Sequence, residues 1–161
     1  MSRVADILRR AQAQGVMIAT VESCTGGMVA AALTEVPGAS AVIERGFVTY
    51  TNRSKIELVG VRADTLDAHG AVSEPVAAEM AQGALAYAPV QLAVSVTGIA
   101  GPGGSDVKPE GRVCFGLASP AGTRTETVDF GALGRDKVRQ AACDHALRLL
   151  QTALDTYGTS S

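Results

Sequence analysis

The sequence predicts an α/β fold: a single domain over residues 1–161, with an ordered core of about 3–155, built as a three-layer-like mixed β-sheet covered by helices. Three observations carry this. Two short, largely apolar runs, 16–21 and 91–96, each lead into a glycine-containing polar turn, as buried strands do. Helical stripes of apolar residues separate them. Near the end, Pro120-Ala121-Gly122 stands between two strand-like segments and signals a hairpin, so the sheet is mixed rather than all parallel.

In order along the chain, Val4, Ile7, Leu8 and Ala11 fall at i, i+3, i+4 and i+7, one face of a helix that Gly15 stops. Residues 16–21 are too uniformly apolar for a surface element and read as a central strand. The turn Thr20-Val21-Glu22-Ser23-Cys24-Thr25-Gly26-Gly27 follows, then a helix from Gly26 to Val36, ended near Pro37-Gly38. Residues 41–51 alternate as a strand. Asn52 is the expected N-cap of a short helix that Gly60 ends. Residues 62–69 form a further helical turn or two. Ser73, with Pro75 in the first turn, caps a longer helix with Val76, Met80, Ala84 and Tyr87 as its buried stripe. After the strand at 91–96 comes the glycine-rich loop Thr97 to Ser105, which can be neither helix nor central strand. Strands at 112–119 and 123–130 form the hairpin. A helix from Asp136 to about Tyr157 closes the domain, with Val138, Ala142, Leu149 and Leu150 near one side, and residues 156–161 read as a frayed tail.

Composition narrows the function classes. Hydrophobic residues make up 47%, enough for a packed core rather than a disordered chain. A net charge of −2, with both signs interspersed, is not the basic stripe of a nucleic-acid binder. No apolar run reaches the length of a membrane span, and the N-terminus lacks the apolar core of a signal peptide. Cys24, Cys114 and Cys143 are odd in number and lack metal-ligand spacing, so reduced thiols in a cytoplasmic protein are expected, with no metal and no cofactor.

Ligands of open α/β sheets bind beyond the carboxyl ends of the strands, and both special turns fall there. Ser23 admits two readings, a helix N-cap or a nucleophile whose oxyanion is met by N–H groups of the following turn. Cys24 is the rival nucleophile. Only two histidines, His69 and His145, are present to serve as a base, and neither is placed for a triad. Lys55 is the alternative: solvated, it is inert, but desolvated it loses its charge more easily and can take a proton from a serine. Tyr50 is either a proton relay or a half-buried strand residue. The 97–105 loop lacks both the Gly-Lys-Ser/Thr ending of a P-loop and the dinucleotide fingerprint, so it reads as an anion or carbonyl cradle instead.

The segments Glu22-Ser-Cys-Thr-Gly-Gly27, Arg45-Gly-Phe-Val-Thr-Tyr50, Gly70-Ala-Val-Ser-Glu-Pro75 and Thr97-Gly-Ile-Ala-Gly-Pro-Gly-Gly104 together resemble the CinA C-terminal-domain family, the nicotinamide-nucleotide amidases or NMN deamidases. The resemblance runs from about Leu8 to Leu154 and is to the stand-alone amidases rather than to the larger members with an added molybdopterin-binding-like domain. Val21 departs from the smaller residue expected there. The resemblance implies hydrolysis of the carboxamide of nicotinamide mononucleotide to nicotinate mononucleotide and ammonia. It implies Ser23 as nucleophile and Lys55 as base, with Tyr50 and Thr97 completing the site. Cys24, Thr25, Gly26 and Gly27 would then hold the oxyanion, and Gly101, Gly103, Gly104 or Arg139 the substrate phosphate. The expected partner is this small molecule alone, with no nucleic acid or membrane, and the chain is expected to self-associate as a dimer or larger homo-oligomer. A non-catalytic nucleotide-binding module and a thiol-dependent hydrolase are the competing readings.

Overall fold

A computed structural model describes residues 2–105 and 107–156. Its elements run α1 (Arg3–Gln14), β1 (Ile18–Glu22), α2 (Met28–Thr34), β2 (Ile43–Val48), α3 (Asn52–Val59), α4 (Ala63–His69), α5 (Glu74–Tyr87), β3 (Leu92–Gly98), β4 (Arg112–Ser119), β5 (Gly122–Asp129) and α6 (Arg135–Thr156). The strands form one five-stranded sheet in the order β2-β1-β3-β4-β5. β1 pairs in parallel with β2 and β3, and β3-β4 and β4-β5 are antiparallel. The sheet is therefore mixed, as the hairpin signal requires.

Alternation along the central strands sorts the core into two layers. Ile18 of β1 and Leu92, Val94 and Val96 of β3 pack with Ile7, Leu8, Ala11, Val29, Leu33, Val138, Ala142 and Leu150 on the α1/α2/α6 face. Ala19, Val21 and Ala93 pack with Val59, Leu66, Val76, Met80 and Ala84 on the α3/α4/α5 face. Small residues set the spacing between layers. A Cβ at Gly83 would stand 1.8 Å from the Val59 carbonyl oxygen, so only glycine lets α5 pass this close to the end of α3.

The helix signals hold at Gly15 and Gly60, both left-handed C-caps, and at Ser73, whose hydroxyl accepts from the Val76 N–H. Four expectations are corrected. Thr51, not Asn52, caps α3, because its hydroxyl and the Ser54 side chain form a reciprocal capping box. Tyr87 is exposed at the end of α5 and lies outside the buried stripe. The helix expected to reach Val36 stops at Thr34, and Ala39–Ala41 form a 3-10 turn before β2. That strand covers only Ile43–Val48; the Thr49 N–H still donates to the Glu22 carbonyl at 2.8 Å, and Tyr50 and Thr51 leave the sheet for a loop beside the β1 turn. Tyr157, the expected end of the closing helix, and the tail beyond Thr156 lie outside the described residues. Among the described residues no helix is long and apolar enough to cross a membrane.

Candidate active site

β1 delivers Ser23 to the carboxyl edge of the sheet. The Ser23 N–H donates to the Val96 carbonyl at 2.9 Å, which ties the turn to the end of β3. The chain then doubles back: the Gly26 N–H returns to the Ser23 carbonyl at 3.0 Å, with φ of 58° at Gly26 and 109° at Gly27, values that glycine adopts without strain. The capping reading of Ser23 fails. The N-cap of α2 is Gly27, with no side-chain bond, and the first donors of the helix are met by Glu22. The Glu22 carboxylate accepts from the Val29 N–H at 2.8 Å, the Ala30 N–H at 3.0 Å and the Thr25 hydroxyl at 2.7 Å. It is 1% exposed, a buried carboxylate whose bonds all serve to hold this turn. Sequence reasoning missed it. The signal was present as an acid ending an apolar strand, a position that demands partners.

Ser23 Oγ is left with two neighbours, Lys55 Nζ at 3.1 Å and the Tyr50 carbonyl at 3.4 Å. α3 places Lys55 there from the second layer. The lysine is 1% exposed and its Nζ also reaches the Thr49 carbonyl at 2.9 Å and the Tyr50 carbonyl at 3.5 Å. These neighbours are neutral oxygens, and among the described residues no salt bridge to a carboxylate offsets its burial. Burial accordingly lowers its pKa to about 8, against a small opposing pull from Cys24. The same burial pushes the Cys24 thiol up to about 11, with its own backbone N–H and Arg139 working weakly the other way. Of the adjacent serine and cysteine, only the serine has the lysine within hydrogen-bond distance.

The remaining predicted residues divide. A cleft of about 240 Å³ is lined by Ser23, Cys24, Tyr50, Lys55, Thr97 and Arg135, among others. Thr97 Oγ1 donates to the Ala71 carbonyl at 2.8 Å. Tyr50 contributes its carbonyl to the lysine, while its phenol oxygen accepts from Arg135 at 2.9 Å. Arg135 also donates to the Gly101 carbonyl at 2.8 Å, so it bridges the two loops at the cleft mouth. It was not singled out in the sequence, where nothing distinguishes it from Arg139 one turn later. Arg139 lies behind the β1 turn and donates to the Cys24 carbonyl at 3.0 Å and the Thr25 carbonyl at 3.4 Å. Gly101, Gly103 and Gly104 do not line the cleft, and the Gly103 N–H is taken by the Glu110 carboxylate. Thr25 is fully buried under the turn, with its hydroxyl on Glu22.

The histidines stand apart, as expected. His69 ends α4. His145 packs its ring against Phe115 with centroids 4.5 Å apart and contacts Glu126.

The CinA C-terminal domain model matches residues 2–154. Nicotinamide-nucleotide amidohydrolase PncC of Escherichia coli is 50% identical over 140 residues, covering 86% of this chain and 85% of that protein. A CinA-like protein of Chlorobium phaeobacteroides is 52% identical over 148 residues, but the chain spans only 35% of its length. Among solved structures, a competence/damage inducible protein from Agrobacterium tumefaciens superposes with a TM-score of 0.87 at 43% identity, over 96% of this chain and 97% of that one. The competence damage-inducible protein A from Klebsiella pneumoniae does so at 0.92 and 38% identity, over 96% of each.

Proposed function

The chain belongs to the CinA C-terminal domain family, and from that premise we propose that it is a nicotinamide-nucleotide amidase with a serine nucleophile and a lysine base. It hydrolyses the carboxamide of nicotinamide mononucleotide to nicotinate mononucleotide and ammonia, as a cytoplasmic enzyme. The observation that carries the mechanism is the 3.1 Å contact between Lys55 Nζ and Ser23 Oγ, with Lys55 buried among neutral oxygens.

A neutral lysine amine has two hydrogens and one lone pair. As the ammonium, Lys55 donates to Ser23 Oγ; once it is neutral, its two hydrogens stay on the Thr49 and Tyr50 carbonyls and its lone pair turns to the Ser23 hydroxyl, which shifts its hydrogen from the Tyr50 carbonyl. As Ser23 Oγ attacks the carboxamide carbon, its proton passes to Lys55. The oxyanion forms beside the β1 turn, where the amide of Cys24 has no carbonyl partner among the described residues. Lys55 then gives its proton to the amide nitrogen, and ammonia leaves with the C–N bond pair. A water attacks the resulting ester, its proton returns through Lys55 to Ser23 Oγ, and the carboxylate is released.

Thr97, with its hydrogen committed to Ala71, keeps lone pairs for the carboxamide N–H. The cleft, at about 240 Å³, is below the roughly 300–1,000 Å³ of pockets that enclose a whole small ligand. It takes the amide-bearing ring and leaves the ribose phosphate at the mouth, beside Arg135. This reading places the phosphate at Arg135 rather than at Arg139 or the 101–104 glycines, because Arg135 lines the cleft and they do not. The test is incubation of the purified chain with nicotinamide mononucleotide. Stoichiometric ammonia and nicotinate mononucleotide, undiminished by chelators, are expected. Binding without ammonia across the pH range would instead identify a nucleotide-binding module.

A further inference from the structure

β5 is an edge strand with no covering element on its outer side among the described residues. It is hydrogen-bonded only to β4, in an unbroken register from Arg112↔Asp129 to Ser119↔Gly122. Sheet edges that avoid self-association carry proline, lysine or a bulge. Residues 122–129, Gly-Thr-Arg-Thr-Glu-Thr-Val-Asp, have none of these three; their charges, Arg124, Glu126 and Asp129, are of both signs, so they repel a second copy only in some registers. The other edge, β2, is short and contains Gly46, and its pairing with β1 shifts register between Ile18 and Ala19.

The outward backbone groups are identified by antiparallel alternation. The Phe130 N–H donates to the Gly111 carbonyl on the β4 side, so even-numbered positions of β5 aim inward. Thr123, Thr125, Thr127 and Asp129 therefore aim N–H and C=O at the open edge. Their neighbours sort the two faces. The hydroxyls of Thr125 and Thr127 bond to Glu74 and that of Thr123 to Gln82, on the α5 face. Arg124 and Glu126 stand on the opposite face, where Glu126 meets His145. Arg124 is exposed and has no ion pair among the described residues.

We propose that β5 pairs with β5 of a second copy of this chain, antiparallel about a two-fold axis through Thr125, joining the two sheets into one. A two-fold perpendicular to the sheet preserves its faces, as an isologous contact requires. With Thr125 on the axis, Thr125 exchanges N–H···O bonds with its own equivalent and Thr123 does so with Thr127 of the second copy. Arg124 then lies directly opposite Glu126 of the second copy, and the pair occurs twice by symmetry. Moving the axis to Arg124 or to Glu126 would place that residue opposite its own equivalent, like charge against like charge. The charge pattern thus selects one register. Among the described residues a groove of about 880 Å³ runs along the same edge, with Leu117, Leu149 and Ala153 in its lining, and gives the second copy apolar surface beside the paired strands. The inference does not depend on the amidase reading, since the edge shares no residue with the catalytic cleft.

The test is sedimentation velocity on the full chain over a dilution series, with Arg124→Glu and the double swap Arg124→Glu/Glu126→Arg. The native chain is expected to dimerise. Arg124→Glu replaces both attractions by like-charge oppositions and weakens the dimer roughly 10-fold or more. The double swap restores it, with circular dichroism unchanged throughout. Hydrogen exchange supplies a measurement on the unaltered protein: the amides of Thr123, Thr125 and Thr127 gain protection as concentration rises. A native monomer at high micromolar concentration, a dimer indifferent to Arg124→Glu, a double swap that stays weak, or no concentration-dependent protection would each overturn the proposal.

Discussion

Burial of Lys55 makes activity and stability answer to the same proton. With a pKa of about 8, roughly 9% of the lysine is neutral at pH 7, against about 0.03% at the ordinary value of 10.5, so burial raises the amount of free base by about 300-fold. If that base takes the Ser23 proton, kcat/KM rises about 10-fold per pH unit below pH 7 and levels off above about 8. The stability consequence has the opposite character to that of a salt-bridged lysine. Between the folded value of about 8 and the unfolded 10.5 the unfolded chain binds more protons, so stability rises with pH through that window. The cost of holding the charged lysine buried at pH 7 is about 3 kcal/mol, of which about 2 kcal/mol is relieved by pH 9.5. Lys55→Met removes the titrating group and retains the apolar volume. Urea denaturation of both proteins at several pH values isolates the effect, since all other groups cancel in the difference. The native chain should gain on the variant by about 2 kcal/mol between pH 7 and 9.5, and the variant should release no ammonia. A stability difference that is flat with pH, together with a rate that is flat from pH 6 to 9 on the scale of about 10-fold per unit, would refute the neutral-lysine base.

Glu22→Gln leaves a single acceptor oxygen facing the donors of Val29, Ala30 and Thr25, and urea denaturation should register a loss of about 1–3 kcal/mol. Because the same carboxylate fixes the turn that carries Ser23, steady-state kinetics should show kcat down by about 10- to 100-fold. Arg135→Ala removes the cation at the cleft mouth, and initial-rate measurements should give a KM raised by about 10-fold or more with kcat little changed. Thr97→Val keeps the shape but strands the Ala71 carbonyl, and thermal melts should report about 1–2 kcal/mol of lost stability along with reduced kcat/KM.

The layers were legible because alternation and capping are local. The largely apolar β1 and β3, the left-handed glycines at 15 and 60, and Ser73 with Pro75 all act within a few residues of themselves. The end of β2 was not legible: Thr49 to Thr51 continue its alternation, but Thr51 caps α3 and the Thr49 and Tyr50 carbonyls serve Lys55, partners that local sequence does not display. At the site, three residues that line one cleft, Ser23, Lys55 and Thr97, were singled out from turn chemistry, the shortage of histidine and a family resemblance. Glu22 and Arg135 were not, because their partners lie elsewhere in the chain. Glu22 holds the first amides of α2, and Arg135 joins Tyr50 and Gly101, contacts that form only once three loops meet. Arg135 and Arg139 are one helical turn apart, and that turn decides which lines the cleft: Arg135 does, while Arg139 lies behind the β1 turn.

The central claim is that the serine, and not its neighbouring thiol, attacks the amide. Ammonia release from nicotinamide mononucleotide by Ser23→Ala and Cys24→Ala, measured side by side with the native chain, tests it most directly. Ser23→Ala should release none while folding normally. Cys24→Ala should stay within a few-fold of native, because a thiol pushed up to about 11 is not a thiolate at working pH. Full activity in Ser23→Ala with loss in Cys24→Ala would contradict the account.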